Sequence, residues 1–131
     1  MSKATIIFIG ILFAVLVLLA GKKHRRDRII EDARRASVAL AAAGDAVQFD
    51  WKYEACPPEN SGVYTEWTRR FADAKALSSH AAAALGADDP DVQLFAAGIF
   101  NQKMVLDERR IACLKRQGEV LDRIRAAHAA N

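Results

Sequence analysis

Two cysteines, Cys56 and Cys113, and three histidines, His24, His80 and His128, are the side chains in this sequence best suited to nucleophilic, redox or metal chemistry near neutral pH. A zinc centre needs about four such ligands converging on one point, and a thiol–imidazole pair needs hydrogen-bond reach. In the helical reading given below, the histidines fall at three different levels. His24 adjoins an apolar N-terminal run, His80 lies near the end of a second helix and His128 near the end of a third. The carboxylates mostly alternate with arginine and lysine, as in Glu31-Asp32-Ala33-Arg34-Arg35 and Asp107-Glu108-Arg109-Arg110, the pattern of solvated helix faces. The chain has no phosphate-cradling glycine loop, no His-Glu-x-x-His, no Cys-x-x-Cys and no Gly-x-Ser-x-Gly. An enzyme is therefore not expected, and no catalytic, metal-binding or cofactor-binding residue is assigned.

The cysteines have a different use. If helices over about 63–86 and 90–128 pack antiparallel, Cys113 returns to the level of the loop that carries Cys56. A disulfide between Cys56 and Cys113 is then geometrically open in an oxidising compartment. The competing reading is two free thiols, with Cys113 a small apolar residue on the inward stripe of its helix. The sequence favours free thiols, because the charges flanking the N-terminal segment point the domain toward a reducing space.

That segment, Ala4 to Gly21, carries no charge and spans roughly 27 Å as a helix, close to the hydrocarbon thickness of a bilayer. It exceeds the usual apolar core of a cleaved signal peptide, and no small-x-small site precedes a neutral mature start. Lys3 alone precedes it, whereas Lys22, Lys23, Arg25, Arg26 and Arg28 follow it as a basic collar around His24 and Asp27. The positive-inside rule then puts the C-terminal domain on the cytoplasmic or matrix side of a bacterial or mitochondrial inner membrane, with the periplasmic or intermembrane side as the alternative. The collar is expected at the membrane surface, against anionic headgroups.

Of 19 basic and 16 acidic residues, six basic and one acidic lie in residues 1–28, leaving 13 against 15 beyond them. A nucleic-acid-binding domain would carry its basic footprint in the fold, so no nucleic-acid partner is expected. With 131 residues, 52% of them hydrophobic, the chain is neither a disordered segment nor a large two-domain enzyme, and two cysteines are too few for a disulfide-dense scaffold.

The predicted fold is all-α: a single N-terminal transmembrane helix (1–21), the collar (22–28), and an antiparallel, coiled-coil-like three-helix bundle (29–131) with a long C-terminal helix. The bundle helices are predicted at about 29–54, 63–86 and 90–128. Alanine, the best helix former, dominates this region, and no alternating β pattern occurs. The first helix is expected to turn inward Ile30, Ala33, Ser37, Leu40 or Ala41, Gly44, Val47 and Trp51, with Gly44-Asp45 as a candidate interruption. Cys56-Pro57-Pro58 breaks the chain. The second helix is expected to bury a seam of Tyr64, Trp67, Phe71, Ala74, Ser78, Ala81 and Leu85, and to end at Gly86. Asp89-Pro90 reads as an N-cap followed by a first-turn proline.

The third helix carries more apolar surface than one stripe requires. Beside an inward stripe of Phe95, Ile99, Leu106, Cys113, Val120 and Ile124 runs a second line: Phe100, Met104, Ile111, Leu114 and Leu121. Either the core is wide enough to take both, or the second line meets another chain. Six of the ten aromatic residues, among them Trp51, Tyr64 and Trp67, gather about the Cys56-Pro57-Pro58 turn, either as a plug for the bundle or as a docking tip.

Together these features predict a membrane-anchored helical accessory or scaffold subunit of a larger membrane complex. Its expected partners are the lipid bilayer and other subunits or a second copy of itself, with no small-molecule substrate. With the domain outside and the cysteines oxidised, the outline resembles the inner-membrane spanins of phage lysis systems, although the long uninterrupted coiled coil of that class is missing here. A small lipid- or ligand-binding helical module is the remaining alternative.

Overall fold

The computed structural model describes residues 2–47, 56–58 and 61–130. Three helices carry the chain: α1 (Lys3–Ala46), α2 (Gly62–Leu85) and α3 (Pro90–Ala129). The expected three-helix, all-α architecture is present, with one difference at its base. The apolar segment, the collar and the first bundle helix are one uninterrupted helix of 44 residues. The physical reason is simple. A run of lysines and arginines changes the solvent that a helix prefers but breaks none of its backbone hydrogen bonds, and these residues are good helix formers.

The N-terminal half of α1 stands clear of the bundle. Its large side chains from Ile6 to Leu19 are 45–68% exposed, so this is not the core helix of a water-soluble fold. The segment is long and apolar enough to cross a membrane. Beyond it, α1 buries Ile29, Ala33, Leu40 and Val47; α2 buries Tyr64, Trp67, Ala74 and Ala81; α3 buries Val92, Phe95, Ile99, Leu106 and Cys113. Each set ends on two consecutive steps of seven, the signature of helices that pack along a shared seam. The inward phase of α1 begins one residue earlier than expected, on Ile29, with Ile30 half-buried.

Antiparallel packing brings the start of the bundle part of α1, the end of α2 and the start of α3 to the base, where Ile29, Ala81 and Val92 form a small cluster. A larger cluster built on Leu40, Trp67, Ala74, Ile99 and Leu106 fills the body. The turn between α2 and α3 follows the local signals. Gly86 adopts φ 99°, where a side chain would be strained, and its N–H donates to the Ala82 carbonyl. The Asp89 carboxylate then accepts the backbone N–H groups of Asp91 and Val92 at 3.0 and 3.4 Å, with Pro90 at the first helical position.

The upper end of α1 corrects two expectations. The helix runs through Gly44 and Asp45 without interruption and ends at Ala46, short of the predicted 54; residues 48–55, including Trp51, lie outside the described residues. Gly44 lies inside the helix, with no capping role; a Cβ there would meet the Trp67 indole at 3.5 Å, an ordinary van der Waals contact.

Candidate functional site

Helix α3 has 40 residues against 24 in α2, so its last turns extend beyond the bundle. The two apolar lines read from its sequence separate in space up to Cys113; past it the expected inward line is no longer covered, with Val120 half-buried and Ile124 exposed. Phe95, Ile99, Leu106 and Cys113 are buried, whereas Phe100, Met104, Ile111, Leu114 and Leu121 are all exposed, Phe100 and Ile111 at 64% and 66%. At about 100° per residue, Ile111 points ~140° away from Leu106, so one bundle cannot cover both. The wide-core explanation is thereby overturned. Further along, Leu121 and Ile124 remain about half exposed as well, at 47% and 48%.

Of the aromatic tip, Tyr64, Trp67 and Phe71 lie among the described residues; Phe49, Trp51 and Tyr53 lie outside them. Tyr64 and Trp67 are buried, and the docking role considered for them gives way to the plug. Trp67 stacks on Phe71 with ring centroids 5.2 Å apart at 11°, and Tyr64 tilts against Trp67 at 6.2 Å. The guanidinium of Arg110 lies over the outer face of Tyr64, 5.5 Å from the ring centroid. The heptad steps that put both rings on the α2 seam decide their fate: seam positions face the other helices whatever their side chain.

Cys56 and Cys113 form a disulfide, with Cα atoms 5.9 Å apart across a sequence separation of 57. The free-thiol expectation is corrected here. Level matching between α2 and α3, the argument that made the bond geometrically open, outweighs the indirect inference from flanking charge. The bond staples α3 to the loop above α1 and α2 at the point where α3 leaves the bundle.

At the base, the collar divides by helix face. Arg26 leans toward α3, where its guanidinium donates to both oxygens of Asp89 and, at 2.7 Å, to Asp91 Oδ2. These bonds hold the Asp89 carboxyl below its ordinary range, helped by the backbone donors of Val92 and Asp91. A carboxylate whose folded pKa is depressed contributes stability at neutral pH that is lost as the pH falls through the acid range. Thermal unfolding of the wild type and of Asp89→Asn, which keeps a capping side chain but loses the charge, should therefore diverge at neutral pH and converge on acidification. A gap that is independent of pH would show that the ion pair contributes nothing.

Lys22, Lys23, Arg25 and Arg28 are exposed, as a membrane-surface collar requires. The expectation that the histidines fall at three levels is corrected for two of them: His24 and His80 line one recess at the base with Arg25, Arg28 and Asp32. The signal for that meeting was the pairing of Ile29 with Ala81, which is set by tertiary register and not by local spacing. Among the described residues, no group of three or more histidine, cysteine or carboxylate side chains is arranged to hold a metal ion.

The class defined by these features is an all-helical bundle carried on a helix long and apolar enough to span a membrane, with an exposed apolar line and an internal disulfide. Compared with family models, curated proteins and solved structures, the chain finds no match in any of the three.

Proposed function

We propose that this protein is a single-pass, membrane-anchored helical scaffold or accessory subunit that works by binding another protein through α3. The observation that carries this reading is the exposure of Phe100, Met104, Ile111, Leu114 and Leu121 along one side of a helix whose opposite side is already packed. A row of exposed apolar side chains on a surface helix, here crossed by the Lys103–Asp107 ion pair, is a recognised mode of helix-in-groove or helix-pair recognition. The anchor supports it further, since confinement to a bilayer raises the effective concentration of a membrane partner. The reading assigns no chemistry to any side chain: it is binding and not catalysis.

The Cys56–Cys113 bond supports an oxidising location for the bundle, on the outer side of an inner membrane. The collar argues the other way by the charge rule, but Arg26 has a structural use in its ion pairs with Asp89 and Asp91. This favours the outward orientation, in which the architecture parallels the inner-membrane spanins, over the inward one.

Photocrosslinking amino acids at Phe100, Ile111 and Leu121, in membranes of the native host, test the binding role. Adducts should form at all three positions and not at Asp73, which is exposed on α2. Absence of any adduct to a second chain, whether a different subunit or another copy, would reject the scaffold reading. Orientation is read separately: reporter fusions after Asn131 that are active only in the cytoplasm would refute the outward assignment.

A further inference from the structure

We propose that the recess at the base of the bundle is a binding site for the headgroup of an anionic phospholipid; this rests on the reading of α1 as a membrane anchor. The recess has a volume of about 250 Å³ and is lined by Gly21, His24, Arg25, Arg28, Asp32 and His80, among others. Gly21 is the last residue of the uncharged run, so the rim of the recess lies where α1 leaves the hydrocarbon. A headgroup phosphate sits at that depth, and the volume suits a headgroup better than a drug-sized molecule.

The chemistry of the lining matches a phosphodiester. Guanidinium groups offer paired N–H donors in the geometry of two phosphate oxygens, and imidazoles add further donors. Among the described residues, Arg25 and Arg28 form no ion pair, although Asp32 stands one helical turn from Arg28 and shares the recess. Arg26, by contrast, is fully engaged by Asp89 and Asp91 on the other side of the helix. The collar thus has one cation committed to the fold and two lining an open recess that α2 borders with His80. A collar acting only through net charge needs no contribution from α2; a site does.

The test uses the full chain purified in a neutral mild detergent, with phosphatidylglycerol or phosphatidylcholine added as mixed micelles and thermal unfolding followed by circular dichroism. Phosphatidylglycerol should raise the wild-type midpoint and phosphatidylcholine should not. Arg25→Gln/Arg28→Gln should abolish that shift and His80→Ala should reduce it. Lys22→Gln/Lys23→Gln removes the same charge from outside the recess and should leave most of the shift. Equal loss in the two charge-matched pairs, or an unaffected His80→Ala, would overturn the site in favour of generic attraction. An equal shift produced by inorganic phosphate or glycerol phosphate would also overturn it, since the ligand would then be a soluble anion. Extraction of the native chain from membranes by alkaline carbonate would instead overturn the anchor reading, independently of the lipid result.

Discussion

Removing the disulfide is expected to lower the unfolding free energy of the bundle by about 4 kcal/mol, the largest effect of any single change outside the core. The estimate follows from the closed loop. Cross-linking two residues 57 apart removes conformational freedom from the unfolded chain, and for a loop of that size the chain-entropy model gives roughly this value. Set against a total of about 5–15 kcal/mol for an ordinary domain, the loss is severe. Its local consequence follows from where the bond sits. Cys113 is the last buried residue of α3 among the described residues, so without the bond the projecting end of α3 loses its covalent tie to the loop that carries Cys56. Urea unfolding of Cys56→Ser/Cys113→Ser beside the wild type, with and without reductant, measures the effect. The double variant and the reduced wild type should share one lowered midpoint. A wild-type midpoint unmoved by reductant, together with two titratable thiols, would mean that the bond does not form in the protein as isolated.

How far the sequence anticipated this structure depends on how local each signal was. Gly86, Asp89 and Pro90 announce a helix end and a helix start through their own backbone requirements, and both fall where expected. The seam of α2 was legible because its period repeats over three heptads. Signals that depend on a neighbouring helix were not legible. Gly44-Asp45 reads locally as an interruption, yet α1 runs through it to Ala46, with the Trp67 indole in van der Waals reach of Gly44. Arg26 and Asp89 were each readable, as a collar charge and as a cap, yet their pairing needs the axial level of the α2–α3 turn relative to α1. The same tertiary register brings His80 to His24. Phase is also fragile: with 3.6 residues per turn, an inward stripe begun on Ile30 instead of Ile29 is rotated by about 100° at its first residue. The second line on α3 was legible as an excess but not as an exposure, because a list of apolar residues does not say how wide the core will be.

Trp67→Ala and Phe100→Ala are expected to have opposite consequences, although both remove a large aromatic ring from a helix of the same bundle. Trp67 is 5% exposed, stacks on Phe71 and lies with its indole edge beside Gly44 of α1. Its truncation leaves a cavity between α1 and α2 within a bundle stapled by the Cys56–Cys113 bond from loop to α3, and tryptophan-to-alanine changes in such sites cost about 3–5 kcal/mol. Phe100 stands at 64% exposure on the outer side of α3, so its removal opens no cavity and should move the midpoint by no more than about 0.5 kcal/mol. The binding assay should invert that order. Phe100→Ala, fully folded, should weaken capture of the partner by crosslinkers at Ile111 and Leu121, because a face of this kind draws its affinity from a few large apolar anchors. Trp67→Ala, assayed below its lowered midpoint, should retain capture, since the ring lies behind the surface that the partner meets. Loss of capture in both variants while both remain folded would place Trp67 in the binding face after all; a destabilised Phe100→Ala would mean that its ring is covered within the bundle, and the argument for an open face on α3 would fail with it.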